Sequence, residues 1–447
     1  MRGSADEIER SRLTLRGGSA PNPTKAAGGG FFRNLFSALQ IVPFRWVWGG
    51  ALSGNSGRFA VILVAGWEAY RLGHHSAVWP SLVSMLLLLP SMFFGLFAGG
   101  VADRRNRARM AASGQLINAV SCLAAAALTV SGRLDLANLL VLTAVVGFGN
   151  SVQGPAWQAM IPELVGQDRL LNASMTARIA QQGAELTGPA IGTVVLTTAG
   201  PGATFFTCSC FYLAGMALFW HVRHAVSTPS RSTGAGQGIL TPIAQGLSYV
   251  RRQTPIGTLL LWVGLHCSLT MASIGILPAV ATANLRGDAV AYGLLLSGFG
   301  LGSVLGPLLM MGLGGRVGIM RILLVSAALS GLPLIPLGLV PNLFVDLVAA
   351  AFAGAAQAVF MAAIYSANQG ASLDSMRGRV ASVQLSLTTG AMGLASIGWG
   401  ALAVLVAPGI VLAVPGAAFT LACIPFAVRR SRLGRQLTAS WRAEASD

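Results

Sequence analysis

Apolar residues in this chain fall in long blocks separated by short polar or basic gaps. That is neither the strict alternation of a half-buried strand nor the narrow stripe of a soluble amphipathic helix. A helix needs about 20 apolar residues to cross the hydrocarbon core of a bilayer. Blocks of that length lie near 44–69, 79–101, 110–130, 137–160, 174–198 and 203–222, and again near 256–282, 289–313, 320–340, 343–366, 380–405 and 410–428. The pattern predicts an all-α membrane protein of twelve transmembrane helices in two six-helix halves, 41–222 and 256–428. A polar linker, 223–255, joins them, and polar tails occupy 1–40 and 429–447. Residues 1–30 lack the apolar core of a signal peptide, and Phe31 to Gln40 read as a short helix lying on the membrane surface.

The basic residues give the map an orientation. Arg104 to Arg109, Arg169, Arg223 to Arg252, Arg316 with Arg321, Arg377 with Arg379, and the tail arginines from Arg429 to Arg442 all fall on the side of the termini. The opposite gaps hold Arg71, Arg133 and Arg286. By the positive-inside rule both termini and the linker are cytoplasmic, in an inner-membrane protein.

Composition narrows the class further. Charged residues make up 10% of the 447 positions, against roughly 25% in soluble domains. The formal charge of +16 sits in short clusters between apolar blocks, which suits topology and anionic lipid rather than nucleic acid. Cys122, Cys208, Cys210, Cys267 and Cys423 are odd in number, lie in apolar blocks and form no CxxC pair, so neither a disulfide framework nor a metal site is expected. No P-loop, GxSxG or HExxH is present, which argues against an enzyme and against a nucleotide or other cofactor.

Four stretches carry a family resemblance. Gly99-Gly100-Val101-Ala102-Asp103-Arg104-Arg105-Asn106-Arg107 resembles the GxxxD(R/K)xG(R/K)(R/K) signature of the major facilitator superfamily, with Asn106 in place of the usual glycine. Gly154 to Val165, followed by Arg169-Leu170-Leu171-Asn172-Ala173, resembles the PAxxAxxPxLV…LxxA pattern of the branch that holds enterobactin exporters and related multidrug exporters. Gln245 to Arg252 and Arg377-Gly378-Arg379-Val380 are similar to further features of that branch. A degenerate copy of the first signature at Gly315 to Arg321 fits internal duplication. The resemblance implies the major facilitator fold. It also implies that Gly99, Asp103, Arg104 and Arg107 form a gate.

Span five concentrates the polar chemistry. Arg178, Gln181, Gln182 and Glu185 fall at i, i+3, i+4 and i+7, on one helix face. Gly188, Pro189 and Gly192 continue that face as a helix-packing motif, similar to the GPxxG core of an exporter signature. Ionisable residues in a bilayer normally face a cavity or a partner, so Glu185, Arg178 and Arg58 are the candidate coupling groups. Asn55, Asn150, Gln153, Gln181, Gln182, His266, Gln357 and Gln384 are candidates for the cavity lining. Glu68 and Asp346, near the outer ends of their spans, are expected to be solvated. The arginine that often precedes a glutamine like Gln153 in the superfamily is Asn150 here.

These features point to a monomeric secondary transporter of a small amphiphilic molecule such as a siderophore or drug, working by alternating access, with protons as a candidate coupling ion. A lipid or lysolipid flippase, an importer, or a transport-dead sensor or assembly factor on the same fold are the alternatives, since fold alone does not choose among them.

Overall fold

In a computed structural model of the full chain, the residues described are 37–102, 106–226, 246, 248–251, 253–285, 287–312, 318–373 and 376–428, without the side chains of 94–102, 167, 171, 311 and 312. Asp103, Arg104, the second signature at Gly315 to Val317 and most of the linker and tails lie outside them. Among the described residues, the regular structure is entirely helical.

We number the helices α1 (Val42–Leu72), α2 (Val78–Ala102), α3 (Arg107–Val130) and α4 (Leu136–Val165). The stretch Leu170–His221 is α5 and α6, because Gly200 breaks it with φ 83° and ψ 178°. The second half holds α7 (Thr254–Leu285), α8 (Ala289–Gly312), α9 (Ile319–Leu339), α10 (Leu343–Gly370), α11 (Arg377–Leu405) and α12 (Pro408–Val428). Among the described residues, nine stretches are long and apolar enough to cross a bilayer by themselves. Dividing one of them at Gly200 and adding α1 and α2 gives twelve. Of the surface helix expected over Phe31 to Gln40, the described part is a single 3-10 turn, Ser37–Gln40, with Ala38 buried and its N–H donated to Asn172 Oδ1 at 3.2 Å.

Local chemistry starts the helices in matching places in the two halves. Proline occupies the first turn of α1 and of α7 (Pro43 and Pro255), where its missing N–H costs nothing. Asp135 caps α4 by accepting from Asn138 N at 2.7 Å, and Asn342 caps α10 by accepting from Phe344 N at 3.0 Å. Such caps satisfy backbone donors that lipid would leave unpaired.

Within the first half, α5 runs parallel to α1: Trp48 Nε1 donates to Thr176 O at 2.9 Å, and Ser56 and Thr187 share a hydrogen bond of 2.8 Å. The chain then reverses, so that α6 returns antiparallel along α1, with Ser53 Oγ bonded to Phe211 O at 2.7 Å and Gly50 against Phe219. The two halves meet along two antiparallel helix pairs, α2 with α11 and α5 with α8. Ser81 faces Ser396 and Gly400, Met92 faces Gly390, Thr193 faces Gly293, and the Glu185 carbonyl faces Gly300.

At the end remote from Val42 and Val428 the halves are closed. Tyr70 bonds Thr282 at 2.7 Å, Trp67 stacks on Tyr292 at 6.4 Å between centroids, and the Tyr292 hydroxyl donates to Ile62 O at 3.3 Å. Toward the end that carries the termini, the described residues add a contact between Arg178 and Tyr365 across the halves.

Gly200 sits in a region of backbone space that is essentially reserved for glycine. Gly200→Ala is therefore expected to cost about 1–3 kcal/mol, read as a lower midpoint of thermal unfolding in detergent. The penalty would be conformational, since a Cβ there meets nothing within 4 Å. Gly154→Ala, equally uncrowded but inside α4, is expected to leave the midpoint unchanged or to raise it.

Candidate functional site

The polar face of α5 is positioned by its packing on α1. A Cβ on Gly188 would lie 2.5 Å from Ser56 O and 2.9 Å from Phe59 Cβ, and one on Gly192 would lie 2.9 Å from a Leu63 methyl. Pro189 is buried between them, and its carbonyl accepts from Thr193 Oγ1 at 2.7 Å. Small residues thus bring the two backbones together, the usual means of helix association in lipid.

That approach sets Arg58, near the middle of α1, beside Glu185, near the middle of α5. They interact electrostatically but do not form an ion pair in contact. On its other side Glu185 meets α8, where Gly300 packs on its backbone and Ser303 lies beside its carboxylate. Arg58 is half-buried, its Nε is buried without an acceptor, and its guanidinium lies 5.8 Å from the Phe59 ring. Gln181 and Gln182 are half-buried on the same stretch of α5, and exposed Arg178 places its guanidinium 5.4 Å from the ring of Tyr365 on α10. The structure therefore gathers Arg58, Arg178, Gln181, Gln182 and Glu185 into one region between the halves.

The other candidate lining residues are turned inward within their own halves. Asn150 and Gln153 are buried and tie α4 to α3: Asn118 Nδ2 donates to Asn150 Oδ1 at 2.9 Å, and Gln115 Nε2 donates to Gln153 Oε1. Asn55 is also buried and donates to Ala51 O of its own helix at 2.7 Å. In the second half, Gln384 accepts from Asn368 Nδ2 at 2.9 Å, tying α11 to α10, and Gln357 is buried with its Nε2 unpartnered. His266 is fully buried in an aromatic cluster, 4.4 Å from Phe360 and 5.1 Å from Phe419 between ring centroids. Its Nδ1 faces the hydroxyls of Thr270 and Ser330 at 3.1 and 3.3 Å.

Two carboxylates depart from the expectation of solvation. Glu68 is 1% exposed and paired with Arg71 at 2.6 Å. Asp346 is 0% exposed, and neither carboxylate oxygen has a hydrogen-bond partner among the described residues. Sequence reasoning also missed Gln115, Asn118, Tyr212 and Ser303, all buried. A signal was available on α3, where Gln115 and Asn118 lie one helical turn apart, as Asn150 and Gln153 do on α4.

Of the signature residues, Gly99 lies in α2, and Asp103 and Arg104 fall outside the described residues. Arg107 opens α3 and reaches α4, donating to Ala159 O at 3.1 Å and pairing with Glu163 at 3.3 Å. The departure from the signature at Asn106 has a structural use. Its Oδ1 caps α3 by accepting from Arg109 N at 3.1 Å, while its Nδ2 donates to the carbonyls of Arg223 and Val226, each at 2.9 Å. Among the described residues, no group of three or more His, Cys, Asp or Glu side chains is placed to hold a metal ion.

The profile of one protein family, described as transmembrane secretion effector, matches residues 34–444. The chain belongs to that family. As a transmembrane secretion effector it is a multi-pass membrane protein of the major facilitator superfamily, a family of transporters and not of enzymes. It is 27% identical over 269 residues to the multidrug efflux pump Tap of Mycolicibacterium fortuitum, covering 58% of this chain and 64% of that one. It is 26% identical over 200 residues to the uncharacterized MFS-type transporter YfiS of Bacillus subtilis, covering 43% and 45%. To the staphyloferrin A transporter of Staphylococcus aureus it is 23% identical over 146 residues, covering 32% and 36%. The alignments thus span between about a third and two thirds of those relatives' lengths. Among solved structures, the POT family transporter PepTSo superposes with a TM-score of 0.68 at 13% identity, covering 89% of this chain and 99% of that one. The nucleoside transporter NupG superposes with a TM-score of 0.65 at 12% identity, covering 86% and 99%. These two likenesses establish the shared fold.

The paired amides of α3 and α4 yield a test. Gln153→Met should leave the fully buried Gln115 amide unpaired and cost about 1–3 kcal/mol. The double variant Gln115→Met/Gln153→Met should recover most of that loss, and thermal unfolding of the four proteins of the cycle measures the coupling.

Proposed function

We propose that this transmembrane secretion effector is a secondary active exporter of a small amphiphilic molecule, in the siderophore or drug class, driven by protons and working as a monomer. Its termini and linker lie in the cytoplasm, so the closed end of the bundle faces outward. The observation that carries this reading is Glu185 at the α5–α8 crossing, within electrostatic reach of Arg58 but not in a contact ion pair with it. A carboxylate placed where the halves meet feels any relative motion of the two. When Arg58 approaches, the ionised form is favoured; when it withdraws into apolar surroundings, the protonated form is favoured. Alternating access then converts binding and release of a proton into movement of the halves. The functions of two relatives, multidrug efflux for Tap and staphyloferrin A transport for the S. aureus protein, support a small-molecule cargo.

Glu185→Gln mimics the protonated acid permanently. In proteoliposomes loaded with a panel of amphiphilic dyes, it is expected to abolish uphill movement on a pH gradient while downhill exchange persists. Uphill pumping by the variant at the wild-type rate would assign coupling to another group. Orientation is checked separately, in a background free of the five cysteines. A cysteine at Asp135 should react with an impermeant maleimide from outside intact cells, and one at Leu373 should react only after permeabilisation.

A further inference from the structure

Asp346 stands in the first turn of α10, and coupling through Glu185 makes no use of it. It is fully buried, and among the described residues neither carboxylate oxygen has a hydrogen-bond partner. Two of the free N–H groups at that helix end, those of Phe344 and Val345, are taken by the Asn342 side chain instead. Asp346, Gln357 and Asn368 recur every eleven residues on one buried face of α10, three helical turns apart, and Asp346 is the member of that row that can ionise. Along the same face Ala349, Ala350 and Ala353 join an apolar core with Val280 of α7, Leu295 of α8 and Leu334 of α9. That core runs on through Tyr292 and Tyr70 into the first half, so the packing that closes this end of the bundle is continuous with the packing around the acid. Among the described residues, the titratable groups that neighbouring elements bring to this end are Asp288 and Tyr292 of α8; the parts of α7, α9, α11 and α12 at this end carry none. Arg286, between α7 and α8, lies outside the described residues. His266 of α7 lies against Phe360, about four turns further along α10, and Glu68 across the closed end is paired with Arg71. No described charge interacts electrostatically with Asp346.

We infer that Asp346 is a second proton-binding site, separate from Glu185, and that its proton holds the outward end of the bundle closed. A carboxylate ion with neither donor nor cation beside it is costly in an apolar core, whereas the neutral acid fits there. Opening this end requires Thr282 to leave Tyr70, and Tyr292 to leave Trp67 and Ile62. That parts the core shared by the halves and lets water reach the outer ends of α7, α8 and α10. Once hydrated, the acid can give up its proton, and re-closing would then bury a charge. A group that holds its proton more tightly in one state favours that state at low pH. The closed state is therefore favoured by acid outside, and the open state by its removal. This rests on the reading of the two halves as alternating, with this end outward, and adds to it a control by external pH.

Distances between two spin labels test this without requiring transport. Cysteines at Ser131 and Ala407, exposed positions at that end of the first and second halves, carry the labels in an otherwise cysteine-free full chain in nanodiscs. Between mildly acidic and mildly alkaline pH, the ratio of open to closed distances should rise about tenfold or more, the change that one proton gives per pH unit between its two binding constants. Asp346→Asn, which keeps the shape of the neutral acid, should stay closed across the range, while Glu185→Gln should keep the rise. No rise in the parent protein, or a rise that survives in Asp346→Asn, overturns the inference. A second measurement stands if Asp346→Asn does not fold. At neutral pH the infrared spectrum of Glu185→Gln should still show the carbonyl stretch of a protonated carboxylic acid shielded from solvent, and its absence overturns the inference as well. A rise lost in Asp346→Asn, in a parent protein that pumps no dye uphill, would sink the proton-driven reading and leave this one standing. A rise lost in Glu185→Gln but kept in Asp346→Asn would do the reverse.

Discussion

Where α5 of one half crosses α8 of the other, Gly300 lies directly on the backbone of Glu185, and no side chain fits between them. Lipid offers helices no hydrophobic reason to associate, so close backbone contact must hold them together. The same device recurs within the second half, where Gly302 sits on Ala351, Gly331 on Gly416 and Gly338 on Gly409. The α5–α8 crossing is special because it joins the halves and carries a carboxylate at the point of contact. With Gly188 holding the other side of α5 against α1, the helix is wedged between two neighbours. The position of Glu185 relative to Arg58 follows from that wedge rather than from a direct bond between the two side chains.

Helix α7 shows how the backbone leaves the regular ladder inside a bilayer. Between its regular ends, Thr254–His266 and Leu277–Leu285, it passes through a π-helical segment, Cys267–Met271, and a 3-10 segment, Ala272–Ile276. Such departures are tolerated at membrane depth only where other groups take up the freed hydrogen bonds. Here Trp399 of α11 donates its indole N–H to Ser268 O at 2.7 Å, and Ser273 bonds Thr270 O at 2.6 Å. The aromatic packing of Trp262 on Phe360 and Phe426 holds the part nearer Thr254, while Thr282 on the part nearer Leu285 meets Tyr70. One helix is therefore anchored to its own half at one end and to the opposite half at the other.

The twelve spans were legible in the sequence because the length of an apolar run answers directly to bilayer thickness. Their ends were less so: α4 continues through Pro155 and Pro162 to Val165, about five residues beyond the end expected near 160. The face shared by Arg178, Gln181, Gln182 and Glu185 was legible from helical periodicity alone. What periodicity cannot say is which neighbour a face meets. Asn150 and Gln153 looked like cavity residues until Asn118 and Gln115 were seen opposite them, and His266 until Phe360 and Phe419 closed around it. Asp346 and Glu68 sit near helix ends in sequence, but depth in the bundle also depends on which helices cover those ends. Asn106 read as a flaw in a signature because its two backbone acceptors lie more than a hundred residues away.

The joint at Gly200 has a mechanical meaning. Most neighbouring spans are separated by a few residues that can stretch or swing, whereas α5 and α6 share one glycine and nothing else. There is no slack at that corner to absorb a tilt. A rotation of α5, gripped by the opposite half at Glu185, is handed on to α6 as a crank turns its shaft, and α6 in turn is bonded to α1 and, through Ser209 and Ala119 at 2.9 Å, to α3. A single residue without a side chain thus joins α5 directly to α6, with no intervening loop.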